Sequence, residues 1–314
     1  MISFGPISSR RLGLSLGINN IVSGKFCSYS CVYCQIGNTI NRSVERRTFY
    51  DPGKLVEDVG NHLEKLDKSY MPDFLTFVAN GEPTLDINLG KEIRLLKKYG
   101  IPVAVITNAS LISNKSVRED LMPADWVSVK IDTVDKVVWE RINRPSIRID
   151  LETILDGVKI FASEYKGSLH TETMLINGYN DDLDKLKQTA IFISGLHHKT
   201  SWLSIPTRPP ALKAVKPVSE TKITLAWHLF QNNYINTELL SGFEGTSTGF
   251  TGDAYNDILN ITAVHPLRED TIEELLEKDK SDSSVIEALV KRGLIKSLDY
   301  NGKTYYVRRY QVKI

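Results

Sequence analysis

Cysteine is scarce in these 314 residues. There are three, Cys27, Cys31 and Cys34, and they fall within eight positions. An odd, tightly spaced set speaks against a disulfide framework, which takes an even number at wider spacing. It also speaks against a closed zinc site, which takes four ligands, since no histidine follows at short spacing. Long apolar runs are missing too. None approaches membrane-spanning length, and Met1-Ile2-Ser3-Phe4 carries no charged leader with an apolar core, so neither a membrane span nor a signal peptide is expected. An excess of one charge is lacking: 39 Lys and Arg stand against 38 Asp and Glu, a net charge of +1. The basic surplus common in nucleic-acid-binding enzymes is therefore absent, and a nucleic-acid partner, though left open, is not indicated by net charge. The glycine-rich Ser241-Gly242-Phe243-Glu244-Gly245 has no phosphate-loop lysine pattern, which argues against a nucleoside triphosphate site.

What is present is an ordinary soluble balance, 41% hydrophobic and 25% charged, in a chain long enough for one large domain and a small one. Packing gives no reason to gather three thiols in one loop. Thiolates are soft ligands suited to iron–sulfur clusters, which usually take four cysteines. Three ligands on a four-iron cluster leave one iron open, and an open position is reactive by the logic that separates catalytic from structural zinc. Clustered free thiols fit a reducing cytoplasm.

Along the chain, short apolar strands alternate with amphipathic helices, which predicts parallel β/α units. Strands are expected at 14–22, 74–79, 103–106, 126–132, 170–176 and 202–205. Glycine in Asn80-Gly81-Glu82-Pro83 permits a tight turn at a strand end, where barrel enzymes place their chemistry. Alternation puts Ser128, Lys130 and Asp132 on one face of their strand, as an inward site pair or a structural ion pair. Arg10 and Arg11, adjacent on an extended chain, are expected on opposite faces. Either reaches an anion or is simply solvated. Two prolines stiffen the loop after Arg208, which suits presentation of an arginine to an anion. His170 and Glu172 share a face, and Met174 reads first as packing.

The spacing of the cysteines, with Tyr33 before the last, resembles the cluster motif of the radical S-adenosylmethionine (radical SAM) superfamily. The likeness extends through Ser9-Arg10-Arg11-Leu12-Gly13, Asn80-Gly81-Glu82-Pro83-Thr84, Ile142-Asn143-Arg144-Pro145, Pro206-Thr207-Arg208-Pro209-Pro210 and Ile261-Thr262-Ala263-Val264-His265-Pro266. It resembles a branch related to, but distinct from, wyosine-type tRNA-modifying synthases. The resemblance implies an open partial (β/α)6 barrel and a single 4Fe-4S cluster on Cys27, Cys31 and Cys34. It implies S-adenosylmethionine on the open iron and an external one-electron reductant of flavodoxin or ferredoxin type. The wyosine synthases use further cysteines for a second cluster, and this chain has none. By the same resemblance Tyr33, Asn80, Gly81, Glu82, Thr107, Asn108, Lys130 and Met174 are the cofactor-binding candidates, with Glu82 facing the SAM amino group. Asp132, Arg208, Arg10 and Arg11 are the catalytic candidates.

After residue 218 the pattern changes. A connecting or lid segment is expected over 219–263, with a short strand at Thr237–Leu240. A small domain over 264–314 follows. Helices at 271–278 and 283–292 precede two strands joined by Asn301-Gly302, a strong hairpin signal. That order looks like a winged helix, with a mixed-charge second helix that does not indicate strong DNA binding. The expected activity is reductive cleavage of SAM to a 5′-deoxyadenosyl radical that abstracts hydrogen from a tRNA, peptide or small metabolite. Two other classes stay open: a non-catalytic iron–sulfur sensor with a DNA-reading winged helix, and a zinc-stabilised RNA-binding protein.

Overall fold

The structure, a computed structural model, describes residues 2–22, 24–39, 42–242 and 245–309. Eight strands form its main sheet: β1 (Ser3–Ser9), β2 (Gly13–Ile18), β3 (Phe74–Phe77), β4 (Val103–Thr107), β5 (Trp126–Lys130), β6 (Ser168–Met174), β7 (Thr200–Ser204) and β8 (Thr237–Leu240). They lie side by side in chain order. β2 to β8 are parallel, and β1 turns back antiparallel onto β2 through the hairpin turn at Arg10–Leu12. Parallel neighbours require crossovers, which here carry helices. These are α1 (Pro52–Lys65), α2 (Leu89–Leu96), α3 (Lys115–Leu121), α4 (Lys136–Asn143), α5 (Leu151–Glu164), α6 (Leu183–Ser194) and α7 (Glu220–Asn232). In all of these but α2 the first turn is closed by a side-chain cap, at Asp51, Asn114, Asp135, Asp150, Asp182 and Ser219. The apolar outer face of the sheet and the inner stripes of these helices make one continuous core, with Leu16, Phe77, Val105, Val127, Phe161 and Leu203 fully buried.

The sheet is an open, curled half-barrel of eight strands where six were expected. The first addition is β1, which the glycines and serines of the opening segment concealed. Gly17 is what lets β1 lie so close: a Cβ there would stand 2.1 Å from the Phe4 ring. The second addition is β8. Thr237–Leu240 was expected in a connecting segment but pairs with β7, so α7 and β8 belong to the barrel. Arg10 and Arg11 sit in a turn rather than on an extended strand. They diverge all the same, Arg10 to the Gly242 carbonyl and Arg11 to Glu172.

The last part of the chain runs α8 (Ala254–Ile261), β9 (Leu267–Arg268), α9 (Glu269–Lys278), α10 (Ser284–Lys291), β10 (Ile295–Tyr300) and β11 (Lys303–Arg308). The three short strands form an antiparallel sheet in the order β10-β11-β9. This unit does not stand apart. Phe4 of β1 enters its core with Ile258, Leu267, Leu275, Leu289 and Ile295. Tyr300 and Tyr305 donate hydroxyl hydrogen bonds to the carbonyls of Pro206 and Thr207 at 2.9 and 3.1 Å, which fastens the hairpin over the loop after β7. Phe243 and Glu244 of the glycine-rich stretch, and 310–314, lie outside the described residues.

Candidate active site

The cysteine loop crosses the C-terminal ends of the parallel strands, where open α/β sheets form their crevice. It is zipped at both sides. Phe26 donates its N–H to the Asn80 carbonyl at 3.1 Å, and its own carbonyl accepts from the Glu82 N–H at 3.0 Å. Only glycine fits between them: Gly81 has φ +145° and its Cβ would fall 1.5 Å from the Phe26 oxygen. On the other side Val32 N–H donates to Ile142 O at 2.9 Å, Ser30 N–H to Asn143 O at 3.0 Å, and Ser146 N–H to Ser28 O at 2.8 Å. The loop is thus suspended between the turn after β3 and the end of α4.

Each sulfur receives an N–H donor from a different segment. Asn108 Nδ2 donates to Cys27 Sγ at 3.4 Å, Asn143 Nδ2 to Cys31 Sγ at 3.4 Å, and Lys25 Nζ to Cys34 Sγ at 3.1 Å. Burial pushes the Cys27 thiol up to about 12 and the Cys31 thiol up to about 11. A metal must therefore displace protons to bind. Burial opposes the charge on Lys25, but its proximity to Cys34, then to Cys27, outweighs this and raises its pKa. Among the described residues no three His, Cys, Asp or Glu side chains gather about a single-ion position. A cluster, whose ligands sit on separate irons, suits these three thiols better than one zinc ion does. The donor set fits the four-iron group: soft ligands, N–H groups aimed at sulfur, and a half-buried cation beside them. Beside the loop, Asn80 Oδ1 is buried without a hydrogen-bond donor while its Nδ2 donates to Gly24 O at 3.0 Å.

Glu82 lies at the turn after β3, in contact with the end of β4. Its carboxylate is fully buried and already filled from within the chain. Thr84 donates to it from N–H at 3.0 Å and from hydroxyl at 2.7 Å, the Thr107 hydroxyl at 2.6 Å, and the Asn108 N–H at 2.7 Å. Burial raises its pKa despite these donors. Glu82 ties the end of β3 to the end of β4 and so positions Asn108 against Cys27.

Below the loop a second network crosses the lumen. Glu172 on β6 accepts from Arg11 Nη1 at 2.5 Å, Lys130 Nζ at 2.9 Å and the Ser204 hydroxyl at 2.9 Å. Burial alone would raise the Glu172 carboxyl, but Lys130 and then Arg11 hold it far below the usual range. The ammonium of Lys130 also lies 3.8 Å from Asp132. Asp132 accepts from the Tyr33 hydroxyl at 2.5 Å, Asn143 Nδ2 at 2.8 Å and Met174 N–H at 2.9 Å. It therefore joins the cysteine loop to α4 and β6. His170 is stacked between Trp126, 4.7 Å away, and Trp202, 6.4 Å away, and burial pushes it down to about 4. It is a packed neutral ring at the barrel floor.

Of the catalytic candidates, Asp132 and Arg11 are joined through Lys130 and Glu172. Arg208 donates to Gln35 Oε1 at 2.9 Å, and Gln35 Nε2 donates to the Val264 carbonyl at 2.8 Å, which links the cysteine loop to the C-terminal unit. Arg10, Arg11, Arg208, Tyr33 and Met174 line a cavity of about 270 Å³ between the β1–β2 hairpin, the end of β7 and His265. The sequence reading passed over Lys25, Asn143 and Glu172 as site residues. A lysine two positions before the first cysteine was a visible signal, whereas Asn143 is paired with Cys31 only by the tertiary fold.

A family model described as the radical SAM superfamily matches residues 21–190. A solved radical SAM methyltransferase from Sphaerobacter thermophilus superposes with a TM-score of 0.55 at 14% identity, covering 72% of this chain and 66% of that one. A TYW1 structure with a lysine–pyruvate adduct bound has a TM-score of 0.45 at 17% identity, over 95% of this chain and 81% of that one. A half-barrel carrying three cysteines over its strand ends defines a radical SAM protein, and the chain belongs to that superfamily. Within it, a UPF0026 protein of Methanocaldococcus jannaschii is 45% identical over 310 residues, covering 98% of this chain and 96% of its own, which places the chain in the UPF0026 family. Among the described residues no helix is long and apolar enough to cross a membrane.

Proposed function

We propose that this chain is a one-cluster radical SAM enzyme. Cys27, Cys31 and Cys34 hold a 4Fe-4S cluster whose open iron takes SAM. The observation that carries the reading is the set of N–H donors on the three sulfurs, one each from Asn108, Asn143 and Lys25. When bound, the cluster supplies one electron for reductive cleavage of SAM to methionine and a 5′-deoxyadenosyl radical, which abstracts hydrogen from the substrate.

The chain's residues prepare that event. Asn80, anchored through its Nδ2 to the Gly24 carbonyl, belongs to the turn that meets the SAM amino group. Gly81 lets the turn approach the loop, and Glu82 with Thr107 holds Asn108 in place. Tyr33 and Met174 are fixed around the cofactor by Asp132. Lys130 acts by positioning, since its ammonium is shared between Glu172 and Asp132. The cavity beside Arg10, Arg11 and Arg208 receives the substrate group and orients it. The helix–strand–helix–helix–hairpin unit, winged-helix-like in order, closes one side of that cavity. Clustered free thiols suit the cytoplasm.

The test is anaerobic reconstitution with iron and sulfide, then dithionite and SAM, with 5′-deoxyadenosine followed by mass spectrometry. About four iron and four sulfide per chain are expected, with product that disappears in Cys31→Ala. Counts well above four refute the one-cluster reading. A cluster without SAM cleavage, together with salt-dependent duplex DNA binding, turns the assignment to an iron–sulfur sensor.

A further inference from the structure

The electron must reach the cluster from outside, and one face of the molecule is built for its delivery. Behind the cysteine loop an open groove is lined by Arg42, Lys136, Trp139, Arg144, Ile147 and Arg148. Its floor is Trp139, which is buried and donates from Nε1 to the Tyr29 hydroxyl at 3.2 Å, with the two rings packed edge to face at 5.9 Å. Tyr29 belongs to the cysteine loop, between Cys27 and Cys31. A second short path runs through Asn143, whose Nδ2 is 3.4 Å from Cys31 Sγ and whose next residue is Arg144 on the groove wall.

The rim has the composition of a transient docking surface. Four cations stand against two acids of the lining, Glu140 and Asp150. Arg148 also pairs with Glu45 and Lys136 with Asp150, both pairs solvent-exposed and therefore of little net worth. Ile147 is fully exposed at 101%, an apolar tip among the cations. Arg144 holds a left-handed φ of 45°, a conformation that bulky residues rarely adopt. Its carbonyl is clamped by Arg42 Nη1 at 3.0 Å and by the Ser30 N–H at 3.2 Å. The fold thus keeps the Arg144–Arg148 segment in a fixed presentation next to the sulfurs. An apolar centre within a basic rim suits an acidic partner steered by charge.

We propose that this groove is the docking site of a small acidic one-electron carrier protein of flavodoxin type, and that its electron enters through Trp139–Tyr29 and Asn143. The step balances simply: the reduced carrier loses one electron, the cluster gains it, and no bond is made or broken. The inference rests on the one-cluster reading above.

The experiment compares reconstituted wild-type chain with the Ile147→Asp, Arg148→Glu double variant. Two rates of cluster reduction are followed by absorbance, one with chemically reduced flavodoxin and one with dithionite, and flavodoxin affinity is measured by calorimetry on the same proteins. The expected result is a fall of roughly tenfold or more in the flavodoxin rate, weaker binding and a flatter salt dependence, with dithionite reduction and iron content unchanged. Equal flavodoxin rates in the two proteins, or no reduction of the wild type by flavodoxin, overturn the docking proposal while leaving the enzyme reading intact. Failure of the wild type to hold a cluster or to cleave SAM with dithionite strikes the enzyme reading instead.

Discussion

Two buried glutamates in this protein answer burial in opposite ways. Glu82, in the turn after β3, is surrounded by neutral donors: two hydroxyls and two backbone N–H groups. Glu172, in the lumen, is surrounded by Arg11 and Lys130. Burial raises the carboxyl in the first case, and four hydrogen bonds do not fully reverse it. In the second, two cations within hydrogen-bonding distance override burial and depress it strongly. The first region is a latch that sets backbone geometry, and the second is a charged brace across the barrel. Hydrogen bonds to a charge offset part of its desolvation, while an opposite charge in the same low dielectric offsets far more.

Breaking the brace gives the largest expected effect. Glu172→Gln leaves Arg11 and Lys130 facing a neutral group and lowers unfolding stability by about 3–5 kcal/mol, measured by denaturant titration. Adding Lys130→Met recovers part of that loss, because an ammonium left with only its 3.8 Å contact to Asp132 no longer has to be buried. A double variant as unstable as the sum of the singles contradicts the brace. The latch is weaker: Glu82→Gln keeps the shape, loses charge-assisted bonds and costs about 1–3 kcal/mol. It also releases Asn108 from the Cys27 sulfur, so the variant is expected to take up less iron on reconstitution. Full iron content in Glu82→Gln separates the latch from the cluster.

The smallest effect is in the pH dependence. A depressed folded pKa makes the Glu172 contribution complete above the unfolded glutamate value of about 4.3 and removes it as pH falls toward the folded value. Glu82 has the opposite sign: its contribution is most favourable below that value and declines as pH rises through its raised folded value. Stability measured from pH 3 to pH 7 should therefore rise less steeply at the acid end in Glu172→Gln, and more steeply above about pH 4.3 in Glu82→Gln. Parallel curves for the two variants contradict the assigned environments.

Much of the site was legible in order along the chain. Three thiols in eight residues, a glycine turn closing a buried strand, and alternation that set Lys130 and Asp132 on one face are local patterns, readable because strand period and turn chemistry are local physics. The cysteine motif also pointed to the superfamily that the family model and fold then showed. β1 was missed because glycine, serine and proline mask a strand that is made by pairing. β8 was misplaced because four residues carry too little periodicity to say which sheet they join.

The sequence by itself determined the clustering of three thiols, the β/α alternation and the Asn301-Gly302 hairpin, each encoded within a few neighbouring positions. Tertiary structure decided what those residues face. It closed the Glu82 carboxylate with donors from β4, placed His170 between two tryptophans, and set Arg11 on Glu172, 161 residues away. It also drew the C-terminal unit onto β1 through Phe4. Partner choice for a buried charge or an unpaired apolar face depends on which distant segments the core brings together, and no local pattern carries that information.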